Sequence, residues 1–241
     1  LARCEGPILD EQNCSSFIGR WNIPLRHSCT LGELGLYFNT VKNIHAKLSV
    51  IRCEHLSRAD FFPNWGINFT PTSPAIDSFN AAILYPGLGL LEATNLTEGR
   101  GTDKSFQMIA APWLTDITFI TERFKTVLEM QPIATKPTLA KYKGEICYGL
   151  SFSPRNYREF DAVKTGLLII KLIKDAYRTK FKWQPYLTNA NPSGAKHLDK
   201  LLGIANSEEL FELPLSVFEN TIDELCKVDS FQQKIKPFLL Y

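Results

Sequence analysis

The chain has 241 residues, 44% hydrophobic and 22% charged, with 27 basic against 25 acidic side chains. That length and composition exclude a disordered, collagen-like or coiled-coil chain, and they allow a core that needs no disulfide or metal staple. A net charge of +2 without a lysine and arginine cluster argues against nucleic acid as a partner, and no apolar run approaches the roughly 20 residues of a membrane span.

Near the start, Cys4-Glu5-Gly6-Pro7 pins a carboxylate before a rigid turn, and Pro24-Leu25-Arg26-His27 precedes a capped helix. Thr30 followed three residues later by Glu33 predicts a capping box opening a helix over 31–42, with Leu31, Leu34 and Phe38 on one face. Alternation and β-branched residues predict a strand over 46–53. Three prolines and no period predict an ordered loop over 61–78. Short apolar runs at 81–85 and 107–111 read as buried strands, and two such strands without alternation point to a sheet covered on both faces, hence an α/β fold. Further on, the pattern predicts a helix over 117–130, a proline-bounded extended stretch through Pro132 and Pro137, and a strand over 143–153. A long helix over 161–181 carries Lys164, Lys171, Lys174, Asp175 and Arg178 on one stripe, opposite Leu167, Leu168, Ile170 and Ile173. A turn is expected at 191–194, a short helix opened by Asn206 with Glu209, and a last helix opened by Ser216 with Glu219.

Chemistry-bearing motifs are few. Six cysteines without a Cys-x-x-Cys pair read as scattered, mostly buried thiols, with disulfides left open for an exported protein. Four histidines lack metalloprotease spacing. Pro86-Gly87-Leu88-Gly89-Leu90-Leu91-Glu92 half-resembles a dinucleotide loop, but Glu92 stands where the third glycine would be, and a phosphate-binding lysine loop is missing. Gly149-Leu150-Ser151-Phe152-Ser153 lacks the last glycine of a nucleophile elbow. The densest stretch is 92–102, which packs Glu92, Asn95, Glu98, Arg100, Thr102 and further hydroxyls into eleven residues. Sugar hydroxyls need both donors and acceptors, which such a loop supplies, and a guanidinium suits an anionic substituent.

Taken in order, these pieces resemble the exo-β-N-acetylmuramidase family typified by NamZ, formerly DUF1343. Glu5-Gly6-Pro7-Ile8 matches the family's Glu-Gly-Pro-Leu, and Pro24-Leu25-Arg26-His27 matches Pro-Ile/Val-Arg-His-Gly with Ser28 for glycine. Tyr85-Pro86-Gly87 and the run from Leu91 to Thr102 match Tyr-Pro-Gly and Leu-Glu-Gly-Thr-Asn-Leu-Ser-Glu-Gly-Arg-Gly-Thr, with Ala93 for glycine. Ala110-Ala111-Pro112-Trp113 and Phe238-Leu239-Leu240-Tyr241 match Gly-Ala-Pro-Trp and the closing Tyr-Leu-Leu-Tyr. Cys53-Glu54-His55-Leu56 keeps the glutamate of Met-Glu-Gly-Trp and lacks its aromatic.

The resemblance implies that residues 1–115 are the carboxyl-terminal part of a Rossmann-like catalytic domain and 116–241 a smaller α/β domain, with the active cleft between them. It implies a glycoside hydrolase that releases N-acetylmuramic acid from non-reducing ends of peptidoglycan fragments or muropeptides, exported to reach them, with no cofactor or metal. Glycosidic cleavage needs two carboxyl groups. Glu98 is the expected site carboxylate, supporting catalysis, with Glu92, Glu5 and Glu54 behind it. Arg100 and Arg26 would pair with the lactyl carboxylate of muramic acid. Asn95 and Thr102 would bind hydroxyl or N-acetyl groups, and His27 would orient Arg26 or a hydroxyl. The family carries a further amino-terminal block, holding the carboxylates usually proposed as catalytic, so the expectation is an incomplete enzyme, inactive alone. The alternative is a non-catalytic cell-wall saccharide-binding protein on the same scaffold.

Overall fold

Strands β1 (Glu5–Ile8) and β2 (Pro24–Arg26) pair antiparallel, with the short helix α1 (Glu11–Cys14) between them. The computed structural model describes residues 1–187 and 191–241. Helix α2 (Leu31–Val41) forms the expected capping box: Thr30 Oγ1 accepts the Glu33 amide at 3.2 Å, and the Glu33 carboxylate accepts the Thr30 amide at 2.8 Å. Leu34 and Phe38 pack inward, but Leu31 stays 89% exposed at the first turn. Residues 46–53 form no strand. Among the described residues no neighbouring strand takes up their ladder, and Ile51 lies 95% exposed. The stretch 61–78 is irregular apart from a 3₁₀ turn at Phe62–Trp65 and an isolated bridge between Ser73 and Ile76, as expected of a loop.

The apolar run at 81–85 is helical, not extended. It belongs to α3 (Phe79–Leu88), capped by Ser78, whose Oγ accepts the Ala81 amide at 3.1 Å. Apolar on most sides, this helix shows no amphipathic period, so the run alone could not separate it from a buried strand. The half-dinucleotide motif lies in its last turn and in the 3₁₀ turn Gly89–Ala93 that follows, and Gly87 meets another helix there. Strand β3 (Met108–Ala111) is wholly buried, as expected. Helix α4 (Thr118–Phe124) ends sooner than its apolar pattern, because 128–135 is drawn into β4 (Leu128–Thr135) by pairing with β5 (Cys147–Pro154). The three strands lie in the order β3-β5-β4, all antiparallel.

Helix α5 (Ala162–Ala176) crosses α3 closely. A Cβ on Gly87 would stand 2.0 Å from the Ala162 carbonyl oxygen, and one on Gly166 would stand 2.6 Å from the Gly87 backbone, so only glycine fits at either position. The stripe expected on α5 is interrupted. Lys171 is buried and donates to Asp175 at 2.8 Å and to the Phe211 carbonyl at 3.0 Å. The turn at 191–194 forms through the Gly194 amide and the Asn191 carbonyl. Helices α6 (His197–Leu202) and α7 (Ser207–Leu210) follow. Asn206 does not cap α7 with its side chain. The Asp199 carboxylate does so by accepting the Asn206 and Ser207 amides at 2.9 and 2.8 Å. Helix α8 (Leu215–Leu225) starts after Pro214 without a cap from Ser216, and α9 (Asp229–Ile235) with a 3₁₀ turn at Lys236–Phe238 closes the chain.

One large apolar core runs through α3, the three-stranded sheet, α4, α5, α6 and α8, and a second joins α2 to α9 through Tyr37 and Phe231. The fold is mixed α/β. Among the described residues, no helix is long and apolar enough to cross a membrane. All six cysteines are free: Cys14, Cys29 and Cys147 are buried, Cys4 and Cys226 half-buried, and Cys53 exposed.

Candidate functional site

The loop 94–106 is fixed at both ends before it presents any side chain. Thr97 exchanges two backbone hydrogen bonds with Ala110 of β3, at 2.8 and 3.1 Å, and the Phe106 amide closes the loop onto the Glu98 carbonyl at 2.7 Å. Gly99 and Gly101 hold φ near +91° and +81°, where other residues are strained, and a Cβ on either would meet backbone atoms at 2.4 and 2.6 Å. Arg100 is therefore raised between two tight turns. Its guanidinium lies 4.8 Å from the centre of the Phe106 ring, which meets Tyr85 edge-on at 4.7 Å.

Three further groups converge there. Arg100 donates to Glu92 Oε1 from Nη2 at 2.6 Å and from Nε at 3.2 Å, and its Nε stands 3.4 Å from Glu98 Oε1. Lys141 Nζ approaches Glu98 Oε2 at 3.2 Å and also donates to the carbonyls of Leu91 and Leu96 at 2.8 and 2.9 Å. Burial opposes the charge on Arg100, but Glu92 and then Glu98 outweigh it and raise its pKa. For Lys141 burial prevails over Glu98 and lowers the pKa. Glu98 is 2% exposed, so its charge is balanced by these two cations and not by bulk water.

Glu92, Glu98, Arg100, Lys141 and Tyr186 line a cavity of about 250 Å³. It adjoins a larger one of about 580 Å³ that shares Glu92, Arg100 and Tyr186 and adds Phe17, Tyr85 and His197. A third cavity, of about 360 Å³, holds Trp21 and His27 and shares Ile18 and Lys200 with the second.

The sequence-selected residues therefore divide. Glu92, Glu98 and Arg100 come together around one cavity. Glu5 and Arg26 pair with each other elsewhere. Glu5 accepts the Ala162 and Val163 amides at 3.2 and 3.3 Å, serving the start of α5, where Asp161 supplies no cap. Asn95 bridges the Lys180 carbonyl and the Lys182 amide, at 2.8 and 2.9 Å. Thr102 donates to the Gly99 carbonyl at 2.7 Å and accepts the Lys104 amide at 3.0 Å, which makes the turn around Arg100. His27 Nδ1 accepts the Cys29 amide at 3.1 Å, and Glu54 sits in an exposed turn. Lys141, Tyr186 and His197 escaped the sequence reading. Lys141 lies in the turn that follows Pro137, and the others carry no motif. Among the described residues, no three His, Cys, Asp or Glu side chains gather in a way that could hold a metal.

The site of this α/β protein is thus a buried carboxylate, Glu98, and a half-buried one, Glu92, bridged by one guanidinium beside a cavity. Comparison with known proteins gives the family. Residues 83–241 match the description "Exo-beta-N-acetylmuramidase NamZ, C-terminal", and residues 2–80 match its N-terminal counterpart. The chain belongs to the NamZ exo-β-N-acetylmuramidase family. It is 34% identical over 242 residues to the peptidoglycan beta-N-acetylmuramidase NamZ of Bacillus subtilis strain 168, covering 98% of this chain and 56% of that protein. Two DUF1343 family proteins of Bacteroides fragilis share the fold. One has a TM-score of 0.83 at 20% identity, covering 99% of this chain and 62% of its own; the other has 0.69 at 24%, covering 100% and 63%. The chain thus spans little more than half the length of the curated relative.

Proposed function

We propose that the protein acts as an exo-β-N-acetylmuramidase on peptidoglycan fragments outside the cytoplasm, and that the 92–102 loop supplies part of its sugar site. The single observation that supports this best is the burial of Glu98 beneath Arg100 and Lys141 at a cavity. Glycoside cleavage uses two carboxyl groups on either side of the bond. Glu92 and Glu98 both hold the same Arg100 Nε, so they are near neighbours by construction. A carboxylate clamped by two cations suits positioning and electrostatic support of a reacting sugar, not solitary proton donation. Arg100 commits Nε and Nη2 to Glu92, while Nη1 bonds nothing among the described residues and is left for an anionic substituent such as a lactyl carboxylate.

Glu98→Gln in the complete natural protein keeps the shape and removes the charge. Turnover of muropeptides should fall about a hundredfold, as it does when one electrostatic group of a site is lost. Unchanged turnover and affinity would remove Glu98 from the site. The 241-residue chain alone should release no sugar from a chromogenic N-acetylmuramide. Saccharide binding without turnover in the complete protein would mark the non-catalytic reading instead.

A further inference from the structure

His197 opens α6 and is only 6% exposed, yet it lines the larger cavity together with Glu92, Arg100 and Tyr186. Its ring stacks on Tyr186, with centres 4.7 Å apart and planes 15° from parallel. That stack fixes the ring plane, and a half-turn about Cβ–Cγ, which exchanges Nε2 with Cε1, keeps it. Nε2 is buried and has no hydrogen-bond partner among the described residues. Buried polar atoms without partners are rare and unfavourable, and one in a ring that lines a cavity gains its partner if a bound ligand draws the ring toward it.

We propose that His197 Nε2 bonds a hydroxyl group of the bound saccharide. This rests on the saccharide reading above and adds a residue and a ligand group to it. Burial, then the charges of Lys141 and Lys200, lower the His197 pKa to about 4, so the ring is neutral near neutral pH. A neutral imidazole offers one donor and one acceptor nitrogen. A hydroxyl satisfies Nε2 in either tautomer, whereas a carboxylate satisfies only the protonated one. The anionic substituent therefore goes to Arg100 and the hydroxyl to His197, and the two fix the sugar from different points of one cavity.

The test uses the complete natural protein and an N-acetylmuramic acid-containing disaccharide, with affinity and melting temperature read for the wild type, His197→Phe and His197→Gln. The phenyl ring keeps the stack on Tyr186 and removes the nitrogen. Its affinity should drop about tenfold, the worth of one hydrogen bond, and its melting temperature should stay at or above the wild type. Glutamine, which can place a polar group near the Nε2 position, should recover most of the affinity. Wild-type affinity in the phenylalanine variant would overturn the proposal and leave the saccharide reading standing. A phenylalanine variant that melts well below the wild type would also overturn it, because Nε2 would then be satisfied inside the fold. A wild type that binds no saccharide would overturn the saccharide reading, and this assignment with it.

Discussion

Lys141 is the residue on which the Glu98 environment turns. It holds the Leu91 and Leu96 carbonyls and the Glu98 carboxylate at once, and so ties the turn after Pro137 to the site loop. Lys141→Met leaves a buried carboxylate with Arg100 alone, at 3.4 Å. Urea denaturation should show a loss of about 3–5 kcal/mol, typical of breaking one side of a buried pair. Adding Glu98→Gln should cost less than the two single changes combined, since they remove one interaction. Additive losses would show that the pair is not coupled. At this scale the sequence pointed to the gathering of Glu92, Glu98 and Arg100, because the Gly-Arg-Gly pattern demands a special backbone and crowds charge into a short loop. It did not disclose that Glu5 and Arg26 serve the start of α5, since that bond joins residues more than 150 positions apart. Nor could it show that Asn95 and Thr102 spend their side chains on nearby backbone.

Among the elements, α3 and α5 form the frame behind the site. The 3₁₀ turn bearing Glu92 continues directly from α3, so the spacing between these helices sets where that carboxylate stands. Gly87 and Gly166 permit the crossing. Gly166→Val forces the helices apart and should lower stability by about 1–3 kcal/mol, as overpacking does, with weaker saccharide binding in step. Full stability in that variant would contradict the tight crossing. The sequence announced α2 and α5 because one carries a capping box and the other a long amphipathic pattern. It misread α3 because a helix buried on most sides has no period, and it misread 46–53 because alternation without a neighbouring strand builds no sheet. The boundary between α4 and β4 was hidden because the pairing of β4 with β5 overrides the local apolar spacing.

Across the whole molecule, the carboxyl-terminal residues return to the amino-terminal helix. Glu33, fully buried, accepts the Leu240 amide at 2.8 Å and the Thr30 amide, and pairs with Arg58, while Tyr241 takes the Cys53 amide. Burial alone would raise the Glu33 pKa, but these bonds together lower it below the ordinary 4.5. The folded state thus holds this proton less readily than the unfolded one. Its stabilisation is present above the ordinary carboxylate range and is lost as pH falls through the folded value. Thermal melts from pH 7 to 3 should fall less steeply for Glu33→Gln, which starts from a lower melting temperature. Parallel curves would mean that Glu33 is no anchor. In the proposed sugar site the acidic substituent is assigned to Arg100. The deciding measurement is calorimetric titration of the complete natural protein and its Arg100→Lys variant with two disaccharides, one ending in N-acetylmuramic acid and one in N-acetylglucosamine. The wild type should prefer the muramic ligand, and the lysine variant should lose about tenfold of that preference while binding the other ligand as before. A preference that survives the substitution intact would place the lactyl carboxylate away from Arg100.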